Sequence, residues 1–177
     1  MNKLIPFIIL FFFTSGSFIP IFSPVSATDL VEDSWNTKTP IPHGRHGFSV
    51  VAVDGKIYAI GGHYYTETPG PYYPIYVDNY IDANLRYDPA TDLWITLKSM
   101  PTPKAWFVIA EYQGKIYCID NDTTEVYDIA TDSWSTKASM PSFTGRYSVQ
   151  AHAVDGKIYV TSSLNLFIYD PVTDIAV

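Results

Sequence analysis

Short apolar segments separated by polar turns run through most of the chain from about residue 48 onward. The first apolar segment, Phe48 to Val53, is followed by Asp54-Gly55 and then by a second apolar segment, Ile57 to Ile60. An Asp-Gly pair between two such segments is typical of a type I′ turn, because both central residues of that turn need a positive φ. The pattern therefore predicts a tight β-hairpin.

This hairpin pattern occurs three times. The turn segment is Asp-Gly-Lys-Ile-Tyr from residue 54, Gln-Gly-Lys-Ile-Tyr from residue 113, and Asp-Gly-Lys-Ile-Tyr from residue 155. A Tyr-Asp step and then a Thr-Asp turn follow each copy, and the steps begin at Tyr87, Tyr127 and Tyr169. Their spacings of 40 and 42 residues are typical of a repeat architecture. The repeats predict an all-β fold built from three similar units.

Each unit is expected to contain four short antiparallel strands, named a to d from the inside outward. Asp88-Pro89 is a turn starter, and Trp94 and Trp134 lie in the expected fourth strands, just after the Thr-Asp turns. A small sheet that is apolar on both faces needs further packing to be stable in water. Radial stacking of similar sheets provides this packing, which is the β-propeller arrangement.

The combined pattern resembles the kelch repeat, and the resemblance covers roughly residues 34–174. It rests on Gly-Lys-Ile-Tyr, a double glycine, the Tyr-Asp-Pro step, the Trp and a Met-Pro pair. The residues of this frame are Gly55, Gly61, Gly62, Tyr87, Trp94, Gly114, Tyr127, Trp134, Gly156 and Tyr169. In kelch blades the double glycine allows close approach around the packed Tyr and Trp. Here only the first copy keeps it, which predicts different packing in the other two.

The resemblance implies a partial kelch-type β-propeller of about three four-stranded antiparallel blades within residues 28–177. We expect a lone d strand at 33–39, blade one at 44–99 with an insertion at 63–82, blade two at 103–139, and an incomplete blade three at 146–177. The third d strand is not expected to form, because Ala176 stands near the end of the chain where the third Trp is due.

Three blades are fewer than the four to eight that propellers usually have. Three interpretations stay open. The chain is a truncated product of a longer gene, or it is a stand-alone open arc, or it self-assembles so that the N-terminal d strand of one copy completes the third blade of another. In the third case oligomerisation closes the propeller.

The first 27 residues have the pattern of a secretory signal peptide. Lys3 precedes an apolar segment from Leu4 to Phe13, and Val25-Ser26-Ala27 places short side chains at a cleavage site. The apolar segment is shorter than the roughly 20 residues that a bilayer requires, which favours cleavage over anchoring. The sequence thus predicts a secreted or cell-surface protein.

The formal net charge of −7 disfavours nucleic acid and anionic membranes as partners.

Cys118 is the only cysteine, so no intrachain disulfide can form, and its apolar neighbours predict a packing role. Asn121 begins an Asn-Asp-Thr sequon, which makes it a candidate for glycosylation.

The b–c and d–a loops should share one face of the blades, and the candidate binding residues lie in them. They are His43, Arg45, His63, Tyr64, Tyr65, Tyr72, Tyr73, Tyr76, Lys104, Trp106 and Arg146. Long insertions are usually functional or disordered, and Tyr-rich loops provide rigid contact surface. The rings of the insertion therefore either contact a partner, pack over the blade rim, or belong to a disordered loop.

No catalytic triad, carboxylate pair or phosphate-binding loop is apparent, and no cofactor or metal is expected. His43 and His46 are close in sequence, but no Cys or carboxylate stands at ligand spacing beside them. A metal site of His63 with Asp78 is conceivable. The sequence favours an exported, non-catalytic module that binds a protein or a glycan. The alternatives are a fragment of a larger propeller hydrolase, lyase or oxidase, and a purely structural surface repeat.

Overall fold

A computed structural model describes residues 35–141 and 149–176. The predicted signal peptide, residues 1–27, lies outside this part of the chain. The contacts divide the chain after Asn36, and all fourteen strands lie in the second unit, Thr37–Val177. Within the described residues there is no helix that could cross a membrane. The strands are β1 (Ser49–Val53), β2 (Lys56–Ile60), β3 (His63–Thr68), β4 (Ile75–Tyr80), β5 (Asn84–Asp88), β6 (Leu93–Thr96), β7 (Val108–Tyr112), β8 (Lys115–Ile119), β9 (Thr124–Asp128), β10 (Ser133–Lys137), β11 (Gln150–Val154), β12 (Lys157–Thr161), β13 (Leu166–Asp170) and β14 (Ile175–Ala176).

Twelve strands form three four-stranded antiparallel sheets, in the orders β1-β2-β5-β6, β7-β8-β9-β10 and β11-β12-β13-β14. Strand β7 lies between β1 and β11, so the first strands of the three sheets are neighbours on the inside. The sheets are therefore blades one, two and three of a partial propeller, which confirms the predicted all-β fold. Strands β3 and β4 form a separate hairpin that leaves blade one between β2 and β5.

The predicted type I′ turns are present in all three blades. The two central residues have positive φ in each: 48° and 70° at Asp54-Gly55, 51° and 71° at Gln113-Gly114, and 47° and 78° at Asp155-Gly156. Two positive φ values match the right-handed twist of the strands that the turn joins. Local sequence chemistry is therefore sufficient to set the register of these hairpins.

Two apolar cores lie between the blades. Tyr58 and Ile60 of blade one pack against Ile116, Cys118 and Tyr127 of blade two, and the Met of the first Met-Pro pair joins them. Cys118 is fully buried, and this burial raises the pKa of its thiol. The cysteine therefore has the packing role that the sequence predicts.

The second core joins blade two to blade three. Tyr117 and Ile119 of blade two meet Ile158 and Val160 of blade three. Because side chains alternate along a strand, Tyr159 points to the opposite face of blade three. This face corresponds to the faces of blades one and two that carry Tyr58 and Tyr117 and pack against the next blade. In blade three it carries the exposed side chains of Val154 and Leu166.

The Asp of each Thr-Asp turn forms hydrogen bonds that link its own blade to the chain segment that precedes that blade. Oδ1 of Asp132 accepts hydrogen bonds from the hydroxyl of Tyr127 at 2.6 Å and from the amide of Lys98 at 3.0 Å. The indole of Trp134 donates to the carbonyl of Lys98 at 2.8 Å. Lys98 belongs to the end of blade one, so these bonds join two blades. We call this arrangement the inter-blade latch.

The carboxylate bonds of the latch occur in the other two repeats, whereas the indole bond recurs only in the first, from Trp94 to the carbonyl of Thr39. Asp92 accepts bonds from Tyr87 at 2.5 Å and from the amide of Thr39 at 2.9 Å, and Asp174 accepts bonds from Tyr169 at 2.7 Å and from the amide of Ala138 at 3.0 Å. The bond to the Asp92 carboxylate raises the pKa of Tyr87 to about 12. The repeated Tyr and Asp thus have a shared structural role.

Two strand predictions need correction. Residues 35–39 form no strand, because Thr39 bonds to the side chains of Asp92 and Trp94 rather than to a backbone ladder; residues 33 and 34 lie outside the described part. The third d strand, expected to be absent, does form as β14, which pairs with Tyr169 and Asp170. Backbone pairing does not require the missing Trp, but the strand has only two residues.

The double glycine allows a close approach, but its neighbours differ from those expected. A Cβ atom on Gly61 would lie 2.5 Å from the carbonyl oxygen of Lys104 and 2.8 Å from the ring of Phe107. Gly61 also has φ of +66°, which L side chains rarely adopt. The glycine therefore makes room for the d–a loop of blade two rather than for a Tyr or Trp.

Candidate functional site

The insertion at 63–82 is a regular antiparallel hairpin rather than an irregular loop. Its pairing runs from His63 with Tyr80 to Thr68 with Ile75. Tyr72 and Tyr73 lie in the turn, where 89% and 82% of their surface is exposed. For these two rings the structure therefore excludes the interpretation that they pack over the blade rim.

Both faces of this hairpin carry exposed aromatic or apolar side chains. Tyr65 and Tyr76 share a face with His63, because residues two apart in a strand point the same way and Tyr76 pairs with Glu67. Tyr64 lies on the other face with Ile75. All of these side chains except His63 are exposed. The hairpin therefore presents two Tyr-bearing faces and a Tyr-Tyr tip to the solvent.

His63 lies at the base of the hairpin and is only 2% exposed. Its ring centroid lies 4.9 Å from that of His46, 5.1 Å from Tyr65, 5.6 Å from Tyr80 and 5.4 Å from Trp106. His46 and His63 also exchange two backbone hydrogen bonds of 2.9 Å. We call these five rings the aromatic cluster. It attaches the hairpin to the d–a loops of blades one and two.

The imidazole of His63 is held by Asp78 of the partner strand. Nδ1 of His63 lies 2.8 Å from Oδ1 of Asp78. A carboxylate can only accept, so Nδ1 carries the hydrogen of this bond. The residues described do not include any group of three His, Cys, Asp or Glu side chains placed to hold a metal ion. The His63–Asp78 pair therefore fixes the ring within the aromatic cluster.

Trp106 is a solvent-exposed member of the cluster. It is 55% exposed, and its backbone has φ of +64°, which is uncommon for a bulky residue. Gly47 occupies the equivalent position in blade one and also has φ of +64°. The ring of Trp106, a candidate binding residue, therefore lies on the surface of the loop face.

Lys104 is buried rather than available to a ligand. Its ammonium lies 3.1 Å from a carboxylate oxygen of Asp120 and 3.0 Å from one of Glu125, and it donates to the hydroxyl of Thr123. Glu125 is itself only 2% exposed. The ammonium of the predicted binding residue Lys104 is therefore already paired with the buried Glu125 and the partly buried Asp120.

Arg45 has a similar internal role. Its guanidinium donates to the carbonyl oxygens of Pro42, His43 and Gly61, at 2.8, 3.3 and 3.5 Å. Partial burial lowers the pKa of this group. Arg45 therefore fixes the d–a loop of blade one, while the side chain of His43 is exposed. Arg146 lies outside the described residues.

The b–c loop of blade two approaches the aromatic cluster. Oδ1 of Asp120 accepts hydrogen bonds from the amides of Asp122 and Thr123, which fixes a tight turn that contains the partly buried Asn121. Between this turn and the cluster lies a pocket of about 270 Å³, which we call the loop pocket. It is lined by Tyr80, Pro103, Lys104, Ala105, Trp106, Val108, Ile119, Asp120, Asn121, Asp122 and Val149.

The structure brings His63, Tyr65 and Trp106 together and leaves Tyr72 and Tyr73 at the hairpin tip. Glu125 belongs to this region but is not among the candidate residues predicted from the sequence. A comparison of the repeats contains the signal, since Leu85 and Phe167 occupy the equivalent positions two residues before the repeated Tyr. A charged residue at a position that is otherwise apolar indicates a buried partner.

Comparisons with known proteins match parts of the chain. A sequence model of the Kelch motif matches residues 44–101. The chain is 28% identical over 86 residues to Kelch-like protein 33 of Homo sapiens, which covers 49% of this chain and 14% of that protein. It is 35% identical over 77 residues to Kelch-like protein terF of Aspergillus terreus, which covers 44% of this chain and 15% of that protein. The chain thus matches about a seventh of the length of these relatives.

Proposed function

Since the chain is a kelch-repeat protein, we propose that it is a non-catalytic module that binds a protein partner through the β3–β4 hairpin and the aromatic cluster at its base. Kelch repeats typically serve in protein interactions. The observation that carries the proposal is the exposure of Tyr72 and Tyr73 at the tip of a regular hairpin. Large aromatic side chains are unfavourable in water without a partner, and Tyr is enriched among residues that dominate binding energy.

The shape and chemistry of the hairpin favour a protein over a glycan. Ile75 and Val77 are exposed between the tyrosines, so the surface is apolar as well as aromatic. A glycan requires polar groups around the stacking rings, but His63 and Asp78 are bonded to each other. The hairpin resembles the rigid Tyr-bearing surfaces with which antibodies contact proteins.

The polar groups near the hairpin support a binding role rather than catalysis. Lys104 and Glu125 are buried and paired, and Cys118 is buried with a raised thiol pKa. A nucleophile or general base has to reach a substrate, and burial prevents this. The described groups thus serve mainly to stabilise the loops.

We also propose that the protein is exported. The proposal rests on the sequence pattern of residues 1–27, with its single Lys, apolar segment and Val-Ser-Ala end. Expression of the full chain in a secreting host, followed by N-terminal sequencing of the protein in the medium, tests it. A first residue of Thr28 is expected, and intact chain retained in the cells would refute export.

A further proposal concerns self-assembly. The outer face of blade three carries Val154 and Leu166, which are 51% and 59% exposed, on the face that in the other blades packs against the next blade. Exposed apolar sheet faces favour association. We propose that blade one of a second copy packs against this face.

A paired comparison tests the binding role of the hairpin. The chain and the variant Tyr72→Ser/Tyr73→Ser are immobilised, and proteins captured from the native host are quantified by mass spectrometry. The control is Leu93→Ser/Val172→Ser, which removes two exposed apolar side chains at the opposite, c–d, end of the blades. We expect proteins that the chain and the control retain and the hairpin variant loses, at an unchanged melting temperature. Equal capture by both variants would refute the proposal.

A further inference from the structure

The loop pocket is large enough to accept a side chain. Its volume of about 270 Å³ far exceeds the roughly 15 Å³ that one water molecule needs. Three segments build its walls: the d–a loop around Lys104 and Trp106, the b–c turn from Asp120 to Asp122, and Tyr80 at the end of the hairpin. The pocket therefore adjoins the proposed binding surface on the same face of the blades.

The charged groups at this pocket have a negative sum. The lining carries one ammonium, that of Lys104, and two carboxylates, those of Asp120 and Asp122. Glu125 also pairs with Lys104 but is not part of the lining. Both carboxylate oxygens of Asp120 already have partners. Oδ1 accepts hydrogen bonds from the backbone amides of Asp122 and Thr123, and Oδ2 lies 3.1 Å from the ammonium of Lys104. Asp122 is exposed and is the carboxylate that a ligand can reach. A positively charged ligand is favoured at such a site.

Aromatic rings form another part of the lining. Trp106 and Tyr80 line the pocket and are 55% and 48% exposed. The faces of Trp and Tyr attract cations, and a guanidinium stacks on such rings better than an ammonium does. Trp106 also occupies an unfavourable backbone conformation that Gly47 adopts in blade one. Strain of this kind is concentrated at binding sites, where the surrounding structure maintains it.

We propose that the loop pocket binds a positively charged side chain, that of Arg in preference to Lys, carried by the protein partner. The guanidinium stacks on Trp106 and donates hydrogen bonds to the carboxylate of Asp122. Lys104 is not a competitor for the site, because its ammonium is already neutralised. This inference rests on the proposed function, since it identifies the chemistry of the residue that the partner contributes.

The test uses Nα-acetyl-arginine amide as the probe and Nα-acetyl-citrulline amide as its uncharged analogue of similar shape. The four indole N–H signals of the chain are followed by NMR, and Trp106→Phe identifies the signal of Trp106. The signals of Trp94 and Trp134, whose indoles are hydrogen-bonded within the fold, show whether each variant is folded. We expect a saturable shift of the Trp106 signal with the arginine probe and at least several-fold weaker binding of the citrulline probe.

Two variants test whether the carboxylate of Asp122 is the charged group that binds the arginine probe. Asp122→Asn should weaken binding of the arginine probe several-fold, whereas Asp54→Asn, which removes an exposed carboxylate from the β1–β2 turn, should leave it unchanged. Equal binding of both probes, or unchanged binding by folded Asp122→Asn, would overturn the inference.

These results are independent of the capture experiment. Binding of the arginine probe, together with equal capture by the hairpin variant, would refute the proposed function of the hairpin and keep the pocket. Loss of capture by the hairpin variant without binding of the probe would refute only the pocket.

Discussion

A Cβ atom on Gly47 would lie 2.9 Å from Cε2 of Trp106, so the indole of one repeat rests directly on the glycine of another. The amide of Trp106 also donates a 2.8 Å hydrogen bond to the carbonyl of Gly47. The two residues occupy equivalent positions in blades one and two and share φ of +64°. The absence of a side chain at the first position is what allows the largest side chain at the second.

Gly47→Ala should therefore lower stability and displace the indole. The new methyl group meets the ring, and the positive φ is unfavourable for alanine, which together cost roughly 1–3 kcal/mol. Gly44→Ala is the control, because no heavy atom lies within 4 Å of its added Cβ. Urea denaturation followed by tryptophan fluorescence compares the two, and equal stabilities would contradict the expected contact.

Lys104→Ala should destabilise the chain strongly, since it leaves the buried Glu125 without its cation. Removing one partner of a buried pair typically costs about 3–5 kcal/mol. Lys157→Ala is the matched control: it removes a lysine that is 43% exposed and pairs with Asp170, and such pairs contribute about 0–1 kcal/mol. Denaturant unfolding measures both, and a loss for Lys104→Ala no greater than for the control would show that the pair is not buried.

The inter-blade latch predicts that Asp132→Asn is more harmful than Asp155→Asn. Both residues have φ of 47° in turns, and both changes convert a carboxylate to an amide that tolerates this conformation. Only Asp132 holds Tyr127 and Lys98, and the weaker acceptor should cost about 1–2 kcal/mol. Thermal and urea melts compare the variants. Similar losses in both would assign the effect to the turn rather than to the latch.

Acid should destabilise the repeats between about pH 4 and pH 2. The bond from Lys157 and the amides of Val172 and Thr173 lower the pKa of Asp170 to about 2, below the usual value of about 3.9. A carboxyl group with a lowered pKa in the folded state contributes stability above its unfolded pKa, and this is lost as the pH falls through the folded value. The pKa is also lowered at Asp88, Asp92, Asp128, Asp132 and Asp174.

Urea midpoints from pH 7 to pH 2 measure this dependence. Asp170→Asn should be less stable at pH 7 and should show a shallower fall in stability toward pH 2. A variant with the same pH profile as the natural chain would mean that this carboxylate does not contribute to the acid transition.

Self-assembly predicts a dimer of residues 28–177 in light scattering. Val154→Lys places a charge on the outer face of blade three and should give a monomer, whereas Val172→Lys, in the exposed turn after β13, should not. A monodisperse monomer of the natural sequence with a cooperative melt would contradict the proposal.

The repeat frame could be predicted from the sequence because its determinants are local. Asp54-Gly55 specifies a hairpin through the φ values of two neighbouring residues, and the Tyr-Asp steps give the period directly. The site could be predicted only in part. The burial of Lys104 depends on Glu125, twenty-one residues away, and His63 depends on His46 of another loop. Such pairings appear only when the blades are stacked.

The latch also bears on how the chain folds as the ribosome makes it. The amide of Lys98 and the carboxylate of Asp132 are 34 residues apart, and the next pair, Ala138 and Asp174, is separated by 36. At roughly 5–20 residues per second, the end of blade one waits about two to seven seconds for the residue that fastens it. The ends of blades one and two are therefore fastened only when the next blade has been made, and we expect these blades to fold in the order of translation.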